Sequence, residues 1–321
     1  MRQAGRYMAE YRAMRARHSF LELCKNSDAA AEVTLQPVDT LGVDAAIIFA
    51  DILLIVEPLG VGLEFTPGDG PMIARPVRSD ADVARLGPVD VASALGFVFD
   101  TVTRVKKALA GRVPLIGFAG APFTVASYVV EGGASRDYIH VKRLMYEAPQ
   151  AWARLMDVLV DATARYLNGQ IAAGADAVQV FDSWVGALAP ADYRTYVLPH
   201  MKALFAKLTP GAPAIHFGTG TAALLPLMRE AGGDVIGFDW RVDLAEAWKR
   251  IGHDVAVQGN LDPAVLLAAP LYIRKRAQAV LDAAGGRTGH IFNLGHGIHK
   301  DTPVDHVKAL VDIVHELSDR R

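Results

Sequence analysis

From residue 43 onward the chain repeats one pattern: a short continuous apolar run, a polar residue at its end, then a helical stretch. The runs are Val43–Phe49, Pro114–Ala119, Ala177–Phe181, Ala214–Phe217, Val235–Phe238, Val255–Gln258 and His290–Leu294. Strands apolar on both faces belong to a parallel sheet that is covered on each side. Helices are predicted between them over 27–41, 93–109, 153–173, 192–208, 221–231, 244–251, 263–284 and 304–317. Ser27 and Asp28 read as the cap of the first, and Pro37 should kink it or end it early. Residues 59–75 read as a hairpin insertion, and a longer insertion follows Gly120-Ala121-Pro122. Seven strands are one short of a closed (β/α)8 TIM barrel. The pattern therefore predicts a first strand just ahead of Met1, in a chain whose residues 1–321 form a single barrel domain.

The composition permits this. A chain of 321 residues at 51% hydrophobic and 21% charged can bury the core of one large α/β domain. A net charge of −2 gives the chain as a whole no electrostatic case for nucleic acid. The single cysteine, Cys24, excludes an internal disulfide and a multi-cysteine zinc site, and accords with a reducing cytoplasm. No apolar run reaches the ~18 residues of a membrane span, and no signal-peptide core precedes the charged start.

Two features carry chemistry. The first is Met1-Arg2-Gln3-Ala4-Gly5-Arg6-Tyr7, followed by Arg12, Arg15 and Arg17: five arginines in eighteen residues, with no lysine and one acid, Glu10. The planar guanidinium fork suits carboxylate or phosphate, so an all-Arg cluster points to a ligand with several carboxylates. A solvated helix face or an Arg-rich targeting peptide has the same composition, although no Ser precedes Ser19. The second feature is the row of polar residues at strand ends: Asp51, Ser183, His216, Asp239, Asn260 and His296. Barrel enzymes place their chemistry there. Asp51 stands alone in an apolar stretch, which fits either a structural ion pair or a carboxylate preorganised to stabilise a cationic transition state.

Other motifs compete. Gly218-Thr219-Gly220-Thr221-Ala222-Ala223, with Asp239 ~20 residues on, matches a dinucleotide fingerprint, but it follows a late strand rather than the first of its domain. His290, His296 and His299 cluster in sequence, yet His290 and His296 lie at opposite ends of one strand and lack zinc-binding spacing. Ser183 has no nucleophile elbow around it.

Segments along the whole chain resemble the uroporphyrinogen decarboxylase family. They are MRQAGRY, IIFADIL around Asp51, PLIGFAGAPFT, YVVEGG, QVFDSWVG, QGNLDP and NLGHGI. The resemblance implies a cofactor-free, metal-free barrel, a homodimer in the cytoplasm, that decarboxylates the four acetate side chains of uroporphyrinogen III to give coproporphyrinogen III. It implies that Asp51, Arg2 and Arg6 are the catalytic residues, Arg2 and Arg6 binding substrate carboxylates and Asp51 binding the pyrrole N–H groups. Tyr128, Ser183 and His296 would contact acetate or propionate groups, Arg15 would be a further contact, and Phe181 would line the cleft. Met8-Ala9 stands where the family usually has Leu-Pro, a departure expected to loosen the loop after Arg6. Two rival readings are a corrinoid- or thiol-linked methyltransferase, whose relatives hold zinc with His and two Cys, and an inactive, N-terminally short remnant.

Overall fold

A computed structural model describes residues 3–66 and 70–318. All seven apolar runs contribute strands: β1 (Ala46–Ile47), β4 (Leu115–Gly120), β5 (Ala177–Asp182), β6 (Ala214–Gly218), β7 (Val235–Phe238), β8 (Ala256–Leu261) and β9 (His290–Leu294). They pair in parallel in the order β1-β4-β5-β6-β7-β8-β9, forming a curled sheet. β2 (Leu63–Thr66) and β3 (Gly70–Ile73) are the antiparallel hairpin expected between β1 and β4. Among the described residues β1 and β9 are the edges of the sheet.

β1 is shorter than its apolar run because its backbone groups are claimed elsewhere. Ile48 N still donates to Ile116 O of β4 at 3.0 Å, but Phe49 N turns to the Thr34 hydroxyl at 2.9 Å. On the other side of β1, the Gln3 side chain stands in for a strand. Its Nε2 donates to Ala45 O at 2.7 Å and its Oε1 accepts from Ile47 N at 2.9 Å.

The helices follow the predicted rhythm with informative differences. The helix Ser27–Leu41 is capped by Asn26, whose side-chain Oδ1 accepts from Asp28 N and Ala29 N, rather than by Ser27 or Asp28. It runs through Pro37 and ends at Gly42, because Pro37 is buried with Val33, Val38 and Leu41 and tertiary packing outweighs the missing hydrogen bond. Two helices ahead of it, Ala9–Arg17 and Phe20–Lys25, were not foreseen. The segment after Gly120 is not an insertion but the helix Pro122–Glu131, with proline in its first turn and Gly132 past its end. The predicted helix 192–208 is two, Pro190–Tyr196 and Leu198–Ala206, parted at Val197 beside Pro199. In 263–284, a 3-10 turn over Pro263–Leu267 precedes the helix Pro270–Ala284.

Alternate strand residues face inward, where Phe181 packs edge-on between Phe118 (5.4 Å between centroids) and Phe217 (5.8 Å). No described helix is long and apolar enough to cross a membrane.

Candidate active site

The N-terminal arginine segment is a tight turn built on backbone contacts. Met8 N donates to Gly5 O at 3.0 Å, and the Tyr7 hydroxyl donates to Gln3 O at 2.6 Å. Arg12 reaches back from the first helix to donate to Arg6 O and Tyr7 O, at 2.9 and 3.0 Å. Met8 is fully buried, so apolar packing anchors the turn where a loosened loop was expected. Arg6 is left exposed at the turn's tip. Arg2 lies outside the described residues.

That tip borders a cavity of about 430 Å³ formed with the carboxyl ends of β7, β8 and β9, where its walls include Arg6, Trp240, Asp262 and His296. The sequence-predicted pair Arg6 and His296 is therefore brought together. Trp240 was not foreseen; its ring meets His296 edge-on at 6.4 Å. Asp239 and Asn260, read from sequence as strand-end polar residues, hold the turn that presents it. Asn260 Nδ2 donates to the carbonyls of Asp239 (3.0 Å) and Val242 (2.7 Å). The Asp239 carboxylate is wholly buried and accepts from Gly220 N at 2.8 Å, from Arg241 N at 3.0 Å, and from the Arg241 guanidinium. In this fold the acid of the apparent dinucleotide fingerprint is an internal anchor. Gly295 is required where β9 ends, because a Cβ there would lie 2.5 Å from Trp240 N.

A second cavity, about 210 Å³, opens above β5 and β6 and is lined by Ser183, Trp184, Tyr138, Thr219 and Arg241. Beneath it Asp182 is fully buried. Its Oδ1 accepts from the Thr124 hydroxyl at 2.8 Å, and the same oxygen of Thr124 accepts from Trp184 N at 3.2 Å. Burial pushes the Asp182 carboxyl up to about 7 against the pull of Thr124. Trp184, fixed in this way, stacks on Tyr128 at 3.8 Å between centroids and meets Tyr138 edge-on at 5.4 Å. Burial, reinforced by Glu131, pushes the Tyr138 hydroxyl up to about 12. Trp184 and Tyr138 carried no periodic signal; the left-handed backbone of Tyr138, at φ 54°, is invisible in sequence.

The remaining predicted residues line neither cavity. Asp51 is partly buried, and its Oδ1 accepts from Leu53 N at 2.9 Å, which caps the turn after β1. Arg15 donates to His18 O and lies over the Phe20 ring at 5.6 Å. Phe181 sits on the floor of the curled sheet. His216 does not belong with the strand-end residues. It lies two positions short of the end of β6, in register with Val180 and Ile236, on the outer face of the sheet where it packs 5.1 Å from Phe205, with burial pushing its imidazole down to about 4. His290 Nε2 donates to Gly259 O, 2.8 Å away, and no group of three metal-ligating side chains occurs among the described residues.

The family model for uroporphyrinogen decarboxylase matches residues 1–317. The chain belongs to the uroporphyrinogen decarboxylase family. Uroporphyrinogen decarboxylases from Carboxydothermus hydrogenoformans and Sorangium cellulosum are each 56% identical to it, over 99% of this chain and 91% of theirs. Among solved structures, a methyltransferase from Methanosarcina mazei superposes with a TM-score of 0.80 at 19% identity, over 92% of this chain and 87% of that one. A putative vitamin-B12-independent methionine synthase from Listeria monocytogenes gives 0.64 at 11% identity, over 95% and 93%. At such identities these two speak for the fold alone. The zinc-dependent alternative is not favoured, since Cys24 is the only cysteine and is buried. Within the uroporphyrinogen decarboxylase family, the arginine turn and the strand ends of this chain are the parts to assign.

Proposed function

We propose that the chain converts uroporphyrinogen III to coproporphyrinogen III by removing the carboxyl groups of its four acetate side chains. The observation that carries this reading is the meeting of Arg6 and His296 on one cavity at the carboxyl ends of the strands, in a chain matched to the family over residues 1–317. In the proposed reaction a proton adds to a pyrrole ring. The bond between the acetate CH2 and its carboxylate then breaks, CO2 leaves, and the electron pair enters the ring cation as an exocyclic double bond. A second proton converts that carbon to a methyl group while the ring proton departs, so each turn consumes one proton and releases one CO2. Arg2 and Arg6 would hold carboxylates, and Asp51 would bind the pyrrole N–H groups and stabilise the ring cation. Tyr128, Ser183 and His296 would contact side-chain carboxylates, with Arg15 and Phe181 supporting the cleft. With a pKa above ~12 an arginine is an awkward proton donor, so the part taken by Arg2 and Arg6 in catalysis is to hold and orient the carboxylates.

Three structural proposals accompany it. Residues 1–321 form one domain. The sheet closes as an eight-stranded barrel with a further strand between β9 and β1, a reading supported by the Gln3 amide, which already occupies one pairing position there. Two copies associate in the cytoplasm through the face beside the first cavity, where Leu267, Leu271 and Tyr272 are 47%, 82% and 44% exposed. The decisive experiment is incubation of the purified protein with uroporphyrinogen III in the dark without oxygen. Stepwise loss of CO2 ending at the tetracarboxylate is the expected result, and an unchanged substrate refutes the proposed function. Sedimentation velocity tests the pair: a purely monomeric species at micromolar concentration rules it out.

A further inference from the structure

The two cavities are separated by one turn, Trp240-Arg241, and its arginine faces the cavity that Arg6 does not border. Arg241 is held unusually well for a residue with a 57% exposed side chain. One side of its guanidinium is fixed by the fully buried Asp239 carboxylate, and its carbon lies 4.3 Å above the Trp240 ring. The backbone carrying it is clamped by Asn260 at Asp239 O and Val242 O. A guanidinium held on one edge keeps the donors of its other edge preorganised, which lowers the entropy lost when it binds a carboxylate. Among the described residues it is the only cation lining the second cavity, where Ser183 and Thr219 are neutral.

We propose that Arg241 is a further substrate-binding residue, which receives in the second cavity a carboxylate of the same macrocycle whose other side chains engage Arg6 and His296 in the first. This rests on the proposed decarboxylase reading and deepens it. A tetrapyrrole rim carries acidic side chains in all directions, so a site with cations on one side only would leave part of the rim unpaired. Trp240 belongs to both halves: it is the platform under Arg241 and the ring that meets His296. The plain structural alternative, that Arg241 serves only to neutralise Asp239, makes a different prediction about kinetics.

The test is steady-state decarboxylation of uroporphyrinogen III by wild type, Arg241→Gln and Arg241→Lys, with thermal unfolding of each. Loss of a charge-assisted pair should raise KM roughly tenfold or more in Arg241→Gln, with kcat within about threefold of wild type. Arg241→Lys keeps the charge and the stem over Trp240 but loses the fork, so its KM should rise by a smaller factor. It also stands as the readable variant if Arg241→Gln does not fold. An unchanged KM in the folded variants, or a fall confined to unfolding temperature, overturns the assignment and leaves Arg241 structural. Wild-type protein inactive on uroporphyrinogen III would instead sink the decarboxylase reading itself.

Discussion

Gln3 lies against Ile47 as a neighbouring strand would. Its amide accepts the Ile47 N–H and donates to the carbonyl two residues earlier, Ala45, which is the bonding pattern of a parallel partner opposite Ala46. Ala46 itself is committed to the other side, donating to Pro114 O at 2.9 Å. One side chain thus ties the turn carrying Arg6 to the edge of the sheet.

Replacing Gln3 with Leu keeps the volume and removes both bonds. Two net hydrogen bonds are worth about 1–3 kcal/mol together, so urea denaturation should show a loss of that order. KM should rise as well, because the turn behind Arg6 loses its tether. Gln3→Glu should be no better, since a carboxylate keeps the Ile47 bond but faces the Ala45 carbonyl without a proton to donate. Unaltered stability and KM in both variants would show that the amide does not anchor the turn.

Asp182 gives a pH signature. Its folded-state carboxyl is raised by burial to about 7, well above an ordinary aspartate. The folded protein therefore binds more protons than the unfolded chain between those two values, and stability from this group is present at low pH and lost as pH rises toward and through about 7. Oδ2 has no hydrogen-bond partner among the described residues. Asp182→Asn, which keeps an acceptor for Thr124, should flatten that part of the stability curve and be relatively more stable at pH 8 than at pH 5. Parallel pH profiles of the unfolding midpoint for the two proteins would contradict the burial of a titrating group here.

How much of this was legible in the sequence depends on which force set each feature. The strands β4 to β8 were readable because they are buried on both faces, which demands a continuous apolar run, whereas β9 leaves Ile291 42% exposed. The helix caps were less so: Asn26 outcompetes Ser27 and Asp28 by a single position. At strand ends the side alternates with every residue, so a shift of one decides between site and scaffold. That is why His216 misled while Asp239 and Asn260 fell on the functional end. Trp184, Trp240 and Arg241 lie just past strand ends, where no period applies. Their positions come from Thr124, Asp182, Asp239 and Asn260, and apart from the local Arg241–Asp239 pair these bonds span 18 or more residues of separation.

Asp51→Asn separates charge from shape. The asparagine carbonyl can still accept from Leu53 N, so the turn after β1 should persist. If the carboxylate stabilises a ring cation, kcat should fall by roughly 10²–10³ with KM changed far less. Arg6→Gln should behave in the opposite sense, raising KM by about tenfold or more through a lost charge-assisted pair. Near-normal turnover in Asp51→Asn would remove the residue from the chemistry.

Gly295→Ala tests whether the spacing between β9 and the Trp240 turn matters to catalysis. A Cβ at this position would stand 2.5 Å from Trp240 N and 3.1 Å from Asp239 Cα, both backbone atoms. The turn cannot yield, because Asn260 and the buried Asp239 carboxylate pin it. The end of β9 must move instead, and His296 is the next residue. Overpacking of this kind costs about 1–3 kcal/mol of stability. A displaced His296 should also lower kcat/KM by at least roughly tenfold, since small misplacements of positioning groups are costly. Gly87→Ala is the matched control: an added Cβ there meets nothing within 4 Å, so both quantities should stay at wild-type values. Wild-type kcat/KM in Gly295→Ala alongside lowered stability would mean that His296 tolerates the shift and does not position substrate.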